Sequence, residues 1–181
     1  MGTAGPRNAR AEAQGDTTMN DVRTLYDEDF VAWSKQQAEA LRAAAHAGSN
    51  LQIDWENLAE EVESLGSSER RALHSQVQRI IRHLLKLEYS PAIEPRRGWV
   101  ETVGDARSEI ELVFEMSPSL KSDFGGVVQA ELARGARGAI RDLQKYGEID
   151  RSTERALRRT RYTPEQVLGE WFPPDPTTSG G

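Results

Sequence analysis

The charged residues whose spacing most clearly suggests a function are four basic side chains in segment 67–90. Apolar residues recur there every three or four positions, which predicts a helix. On that helix the four basic residues fall within an arc of about 80°, opposite Leu84 and with no acidic residue among them. We interpret this basic face as a contact surface for an acidic partner or a phosphate backbone, the alternative being a solvated surface. Its members are Arg71, Arg79, Arg82 and Lys86.

A second basic cluster lies in segment 151–161, which we interpret as a surface linker. The two clusters together would be the contact surface of a nucleic-acid-associated regulator. The formal net charge of the whole chain is −6, which disfavours a strongly basic nucleic-acid-binding protein. The second cluster consists of Arg151, Arg155, Arg158, Arg159 and Arg161.

The charge of the chain changes sign between neighbouring segments. Residues 24–66 include two basic and nine acidic residues, a net charge of −7, whereas residues 67–97 include seven basic and three acidic residues, a net charge of +4. Segregated charge of this kind suits the recognition of a partner protein, or of a second copy of the chain, better than it suits chemistry.

Patterns typical of metal centres and of nucleophilic catalysis are missing from the sequence. No Glu precedes a His by three positions, and His74 and His83 fall on opposite sides of their predicted helix. Acidic residues 54–63 are explained by a helix start and a solvated face better than by a cation site. With no Cys, nucleophile elbow or phosphate loop, we assign no catalytic, cofactor-binding or metal-binding residue. An enzyme without a recognisable motif is the remote alternative.

Targeting and membrane signals are also missing. The first twenty residues contain no apolar run, and no later stretch approaches the roughly 20 apolar residues of a membrane span. We therefore expect a cytoplasmic protein without a membrane partner.

The spacing of apolar residues predicts an all-α fold, an antiparallel bundle of about five main helices plus a short C-terminal helix. Asp27 is the expected cap of the first helix, and Gly66 the expected end of the second, which should bury Trp55, Leu58, Val62 and Leu65. We expect a disordered arm at 1–20, one helical domain over 24–172 and a flexible tail at 173–181. The predicted helices cover about 27–48, 54–66, 67–90, 99–114, 120–146 and 164–172.

Several motifs in this order resemble a bacterial family known as domain of unknown function 29. They are LYDEDF at 25–30, IDWENLAEEVESLG at 53–66, HLLK at 83–86, SPSL at 117–120 and YTPEQ at 162–166. The resemblance spans about residues 24–172. It implies an α-helical fold, and it supplies no activity, cofactor or catalytic residue. The sequence therefore favours a non-catalytic helical module that binds a protein partner or itself.

Overall fold

The structure is a computed structural model, and it describes residues 24–48 and 51–176. Every regular element in these ranges is helical, which confirms the predicted all-α class. The predicted arm at 1–20 and the last five residues of the predicted tail lie outside the described residues. The main elements are α1 (Phe30–His46), α2 (Trp55–Tyr89), α3 (Arg96–Met116), a 3₁₀ helix (Pro118–Asp123), α4 (Phe124–Lys145), α5 (Arg151–Arg159) and α6 (Pro164–Leu168).

Contacts between Cα atoms divide the chain into two compact units. Among the described residues, the first unit comprises residues 24–48, 51–67 and 116–119, and the second comprises residues 68–115 and 120–176. The single helical domain predicted over 24–172 stays a prediction.

In the first unit, the N-cap of α1 is Asp29 and not Asp27. The Asp29 carboxylate accepts a hydrogen bond from the backbone N–H of Ala32 (2.8 Å), and residues 24–28 are already helical. The same carboxylate accepts from the backbone N–H of Ser119 (2.6 Å) and from its hydroxyl (3.0 Å). Because Ser119 is 90 positions away in the sequence, local patterns could not favour Asp29 over Asp27.

Helix α2 passes through Gly66 without a break, so the predicted helix end there is wrong. Gly66 lies inside the helix and does not adopt the positive φ of a C-terminal glycine cap. A Cβ atom at this position would lie 2.2 Å from the Oγ of Ser34 on α1. The missing side chain therefore lets α1 approach α2 closely within the first unit.

The second unit has an apolar core drawn mainly from α2, α3 and α4, with further residues from α5 and α6. The predicted core positions of α2, from Leu73 to Leu84, are buried, and Leu84 is 0% exposed. Gly135 on α4 allows a close approach, because a Cβ there would lie 2.5 Å from Cγ2 of Ile81. The missing side chain of Gly135 therefore lets α4 approach α2 closely within the second unit.

The segment predicted as a basic linker is helix α5. Its N-cap, Asp150, accepts a hydrogen bond from the backbone N–H of Thr153 (2.7 Å). Leu157 is fully buried in the core of the second unit, and Glu154 pairs with Arg158 one turn later (2.7 Å). One apolar anchor and a good cap are therefore enough to make this strongly basic segment helical.

Candidate functional site

Two of the four predicted basic-face residues converge on one carboxylate of α4. Arg82 donates two hydrogen bonds to Asp142, from Nε at 2.7 Å and from Nη2 at 2.6 Å. The Nζ of Lys86 lies 3.6 Å from Oδ2 of the same carboxylate. Burial would raise the pKa of Asp142, but the bonds from Arg82 and the charges of Arg82 and Lys86 outweigh it and lower that pKa. Both cations therefore have an internal partner.

Lys86 is the more enclosed of the two cations. Its side chain is 12% exposed, and Nζ lies 4.4 Å from the centroid of the Trp99 ring, a cation–π contact. Burial lowers the pKa of Lys86, and the attraction of Asp142 opposes this shift only in part. The ammonium therefore contacts an aromatic ring and a carboxylate that is also bound by Arg82.

The other two basic-face residues, Arg71 and Arg79, are exposed. Arg71 donates a hydrogen bond to the hydroxyl of Ser68 (2.9 Å). Arg79 and Arg82 border a shallow groove of about 250 Å³, and its other lining residues are uncharged or weakly basic. Those residues are Ser75, Gln78 and His83. The groove and Arg71 are therefore the parts of the predicted face that solvent reaches.

A larger cleft of about 510 Å³ opens beside Lys86. The apolar part of its wall includes the rings of Trp99 and Tyr146, together with Pro95 and Leu143. The charged part consists of Lys86, Asp142, Lys145 and Glu148. A volume of this size is in the range of small-molecule sites. The sequence predicts Lys86 to be a surface cation. The cleft can be seen only in the structure, where Lys86 lies beside Trp99 and Asp142.

The two histidines of α2 have separate surroundings, as their spacing predicts. His74 Nδ1 lies 2.9 Å from Oε1 of Glu131, a carboxylate that is 1% exposed and also accepts from Arg134 (2.7 Å). His83 Nδ1 donates to the carbonyl of Arg79 (2.9 Å), and burial lowers the pKa of His83. Within residues 24–48 and 51–176, no group of three potential ligands is placed to hold a metal ion.

The first unit exposes large apolar side chains that the sequence analysis placed in the core. Leu58 is 42% exposed and Leu65 is 47% exposed, so their predicted burial is wrong. The buried positions of this part of α2 are the small residues Ala59 and Gly66. Leu51 and Ile53, which precede the helix, are exposed as well. We call Leu51, Ile53, Leu58 and Leu65 the apolar strip.

Comparisons with known proteins agree on the fold. The solved structure of an α-helical protein of unknown function from Rhodospirillum rubrum is similar, with a TM-score of 0.60 and 24% sequence identity. The alignment covers 80% of this chain and 89% of that one. No curated protein matches this chain. None of the described helices is both long and apolar enough to cross a membrane. The family described as "Domain of unknown function DUF29" matches residues 25–172. The chain therefore belongs to that family, as its motifs indicated.

Proposed function

We propose that this chain is a non-catalytic protein-binding module whose first unit receives a basic amphipathic helix of a partner protein. The observation that carries the proposal is the apolar strip, in which four large side chains remain between 42% and 63% exposed. A contiguous exposed apolar patch is typical of interaction sites, and we propose that these four side chains, which lie within residues 51–65, form one. The cytoplasmic location expected from the sequence is part of the same proposal.

The arrangement of the strip suits a helical ligand. Leu58 and Leu65 are seven positions apart, so they lie on the same side of α2 one above the other. Asp54 accepts from the N–H of Asn57 at the start of this helix, which places Ile53 and Leu58 at the two positions of a hydrophobic staple. The strip therefore offers apolar contacts about two helical turns apart. A partner helix with one apolar residue every two turns matches this spacing.

The charge around the strip indicates which partner helix fits. Glu61 falls between Leu58 and Leu65 on the exposed side of α2, and residues 24–66 carry a net charge of −7. A symmetric contact between the strips of two copies would bring acidic residues against acidic residues. A partner helix with apolar anchors and Lys or Arg on its flanks avoids that repulsion.

The predicted basic face is a second proposed contact, for an acidic surface of a protein partner. Its accessible part is the groove beside Arg79 together with Arg71. Nucleic-acid binding through the same face has less support, because Arg82 and Lys86 already share Asp142. A face with two of its four cations bound to one carboxylate has less charge available to neutralise phosphates.

The proposed function can be tested with two synthetic amphipathic helices of about three heptads each. Both carry Leu at the same positions, and one is flanked by Lys whereas the other is flanked by Glu. We expect the chain to bind the Lys helix, measured by calorimetry, and the double variant Leu58→Gln/Leu65→Gln to bind it at least about tenfold more weakly. The matched control is Leu112→Gln, which alters a leucine that is also exposed but lies on α3.

Equal binding of the Lys and Glu helices would overturn the proposed charge of the partner. An equal loss of affinity in the Leu112→Gln control would overturn the assignment to the strip. Sedimentation velocity tests whether a second copy of the chain, and not a partner helix, covers the strip. If the unaltered chain dimerises and the double variant does not, a second copy covers the strip and the proposal of a basic partner helix fails.

A further inference from the structure

We propose that the cleft beside Lys86 in the second unit binds a small organic anion with a single negative charge and a flat apolar body. This inference does not depend on the apolar strip, because all of its residues belong to the second unit. Its support is the composition of the cleft wall and the long distance between Lys86 and the carboxylate that it pairs with.

The apolar wall determines the shape of the ligand body. Trp99 and Tyr146 line the cleft together with Pro95 and Leu143, and Tyr146 is strongly exposed. The exposed ring of Tyr146 and the half-buried ring of Trp99 offer stacking surfaces for a planar group beside the cleft. A cleft of about 510 Å³ holds a ring with a short side chain.

The charges of the cleft determine the sign of the ligand. Asp142 is bound by two short hydrogen bonds from Arg82, and Glu148 accepts a hydrogen bond from the hydroxyl of Ser90. Both carboxylates of the wall are therefore already engaged inside the fold. An organic cation would have to compete with these partners, so the carboxylates are poor receptors for it.

Lys86 is paired with Asp142 as well, but less closely than Arg82 is. Its ammonium is largely enclosed, yet its distance of 3.6 Å from the nearest Asp142 oxygen is longer than a normal hydrogen bond. The charged residues of the wall, Lys86, Lys145, Asp142 and Glu148, have a formal net charge of zero, and Arg82 binds Asp142 from outside the wall. Because Arg82 already engages Asp142, one carboxylate on Lys86 would complete the hydrogen bonding of the ammonium.

Three probes with the same body test the sign of the charge on the unaltered chain. They are 3-phenylpropionate, its neutral amide, and 3-phenylpropylamine, each titrated while protein NMR shifts and heat are recorded. We expect the anion to bind, the amide to bind about tenfold more weakly, and the amine to bind no better than the amide. Equal affinity of the three probes, preference for the amine, or no binding of the anion at millimolar concentration would overturn the proposal.

Variants then test the place of binding. Lys86→Gln should weaken the anion about tenfold and leave the amide nearly unchanged. The matched control is Lys121→Gln, because Lys121 also lies over an aromatic ring, with Nζ 5.8 Å from the centroid of Phe114. Equal losses in both variants would place the anion elsewhere. The thermal unfolding midpoint of each variant is measured first, to show that the variant is folded. The probe series on the unaltered chain determines the sign of the ligand's charge without any variant.

Discussion

Arg82 donates two hydrogen bonds to the carboxylate of Asp142, although 60 positions separate the two residues in the sequence. Gly138, one turn before Asp142 on α4, makes room for this contact, because a Cβ there would lie 3.0 Å from Cδ of Arg82. The bidentate geometry fixes the guanidinium and the carboxylate in one relative orientation. A residue predicted from the sequence to face a partner therefore joins α2 to α4 inside the second unit.

Removing the charge of Asp142 should destabilise the protein at neutral pH. We expect Asp142→Asn to lower the free energy of unfolding by about 1 kcal/mol, a moderate loss because the Arg82 side chain is 41% exposed. Denaturant titration measures the change, and Asp105→Asn, an exposed aspartate on α3, is the control. An unchanged unfolding midpoint in Asp142→Asn would show that the ion pair contributes nothing to stability.

The same pair should make stability depend on pH in acid. Arg82 and Lys86 hold the pKa of Asp142 below its ordinary value of 3.8, against the opposing effect of burial. The folded state therefore binds this proton less readily than the unfolded state, and the contribution is complete above the ordinary pKa. It is lost as the pH falls through the folded pKa. The stability difference between the unaltered chain and Asp142→Asn should be constant from neutral pH to about pH 5 and shrink below about pH 4. A difference that grows in acid would contradict the sign of the shift.

Gly66 should be coupled energetically to Ser34. Ala has a helix propensity about 1 kcal/mol better than Gly, but a Cβ at Gly66 would displace the Ser34 hydroxyl, which donates to the carbonyl of Val31 (3.0 Å). We expect Gly66→Ala to destabilise the unaltered chain and to stabilise the Ser34→Ala background. Gly104→Ala, where the Cβ meets open space, should stabilise by up to about 1 kcal/mol. Additive effects of the changes at Gly66 and Ser34 would disprove the coupling.

The core of α2 illustrates what local patterns can predict. Leu73, Val77, Ile80 and Leu84 recur at spacings of three and four, and large apolar residues on one side of a helix predict its buried face directly. Nearer the start of α2 the same reasoning fails. Small residues are buried there instead, because Gly66 lets Ser34 of α1 approach closely. A pattern based on residue size therefore places Leu58 and Leu65 in the core, although only Trp55 and Val62 of the predicted set are half-buried.

The candidate sites were less predictable for a related reason. Segment 67–90 shows four cations and no acid on one side, and this pattern predicts a shared basic face on the helix. The sequence could not show that Asp142 lies beside two of them, since that contact depends on the packing of α4 against α2. The cleft depends on the same long-range packing, with Trp99 contributed by α3.

Leu84 should tolerate no charge. Its side chain is 0% exposed, so Leu84→Asp buries a carboxylate without a partner and removes apolar contacts, at a cost of several kcal/mol. We expect loss of helical circular dichroism and of cooperative melting. Leu112→Asp, at an exposed leucine of α3, should remain folded. Wild-type melting of Leu84→Asp would overturn the assignment of this residue to the core.

The exposed part of the basic face permits a test of partner binding that leaves the core of the second unit unaltered. Arg71 and Arg79 are exposed, so Arg71→Glu/Arg79→Glu should change stability by less than about 1 kcal/mol per residue. Arg82→Glu would instead place a carboxylate against Asp142 and destabilise the fold, so its loss of binding would be uninformative. We therefore expect the Arg71/Arg79 variant to remain folded and to associate more slowly with an acidic protein surface, because electrostatic steering is lost.

We expect the unaltered chain not to bind nucleic acid, and the same double variant tests any binding that is found. The chain has a formal net charge of −6, and two of the four face cations are shared with Asp142, so we expect no retention on duplex DNA at physiological salt. Filter binding across a salt series measures this directly. Retention by the unaltered chain that weakens steeply with salt, and that disappears in Arg71→Glu/Arg79→Glu, would favour a nucleic-acid partner for this face. Retention that the double reversal leaves unchanged would place the contact elsewhere, for which the arginines of α5 are the next residues to reverse.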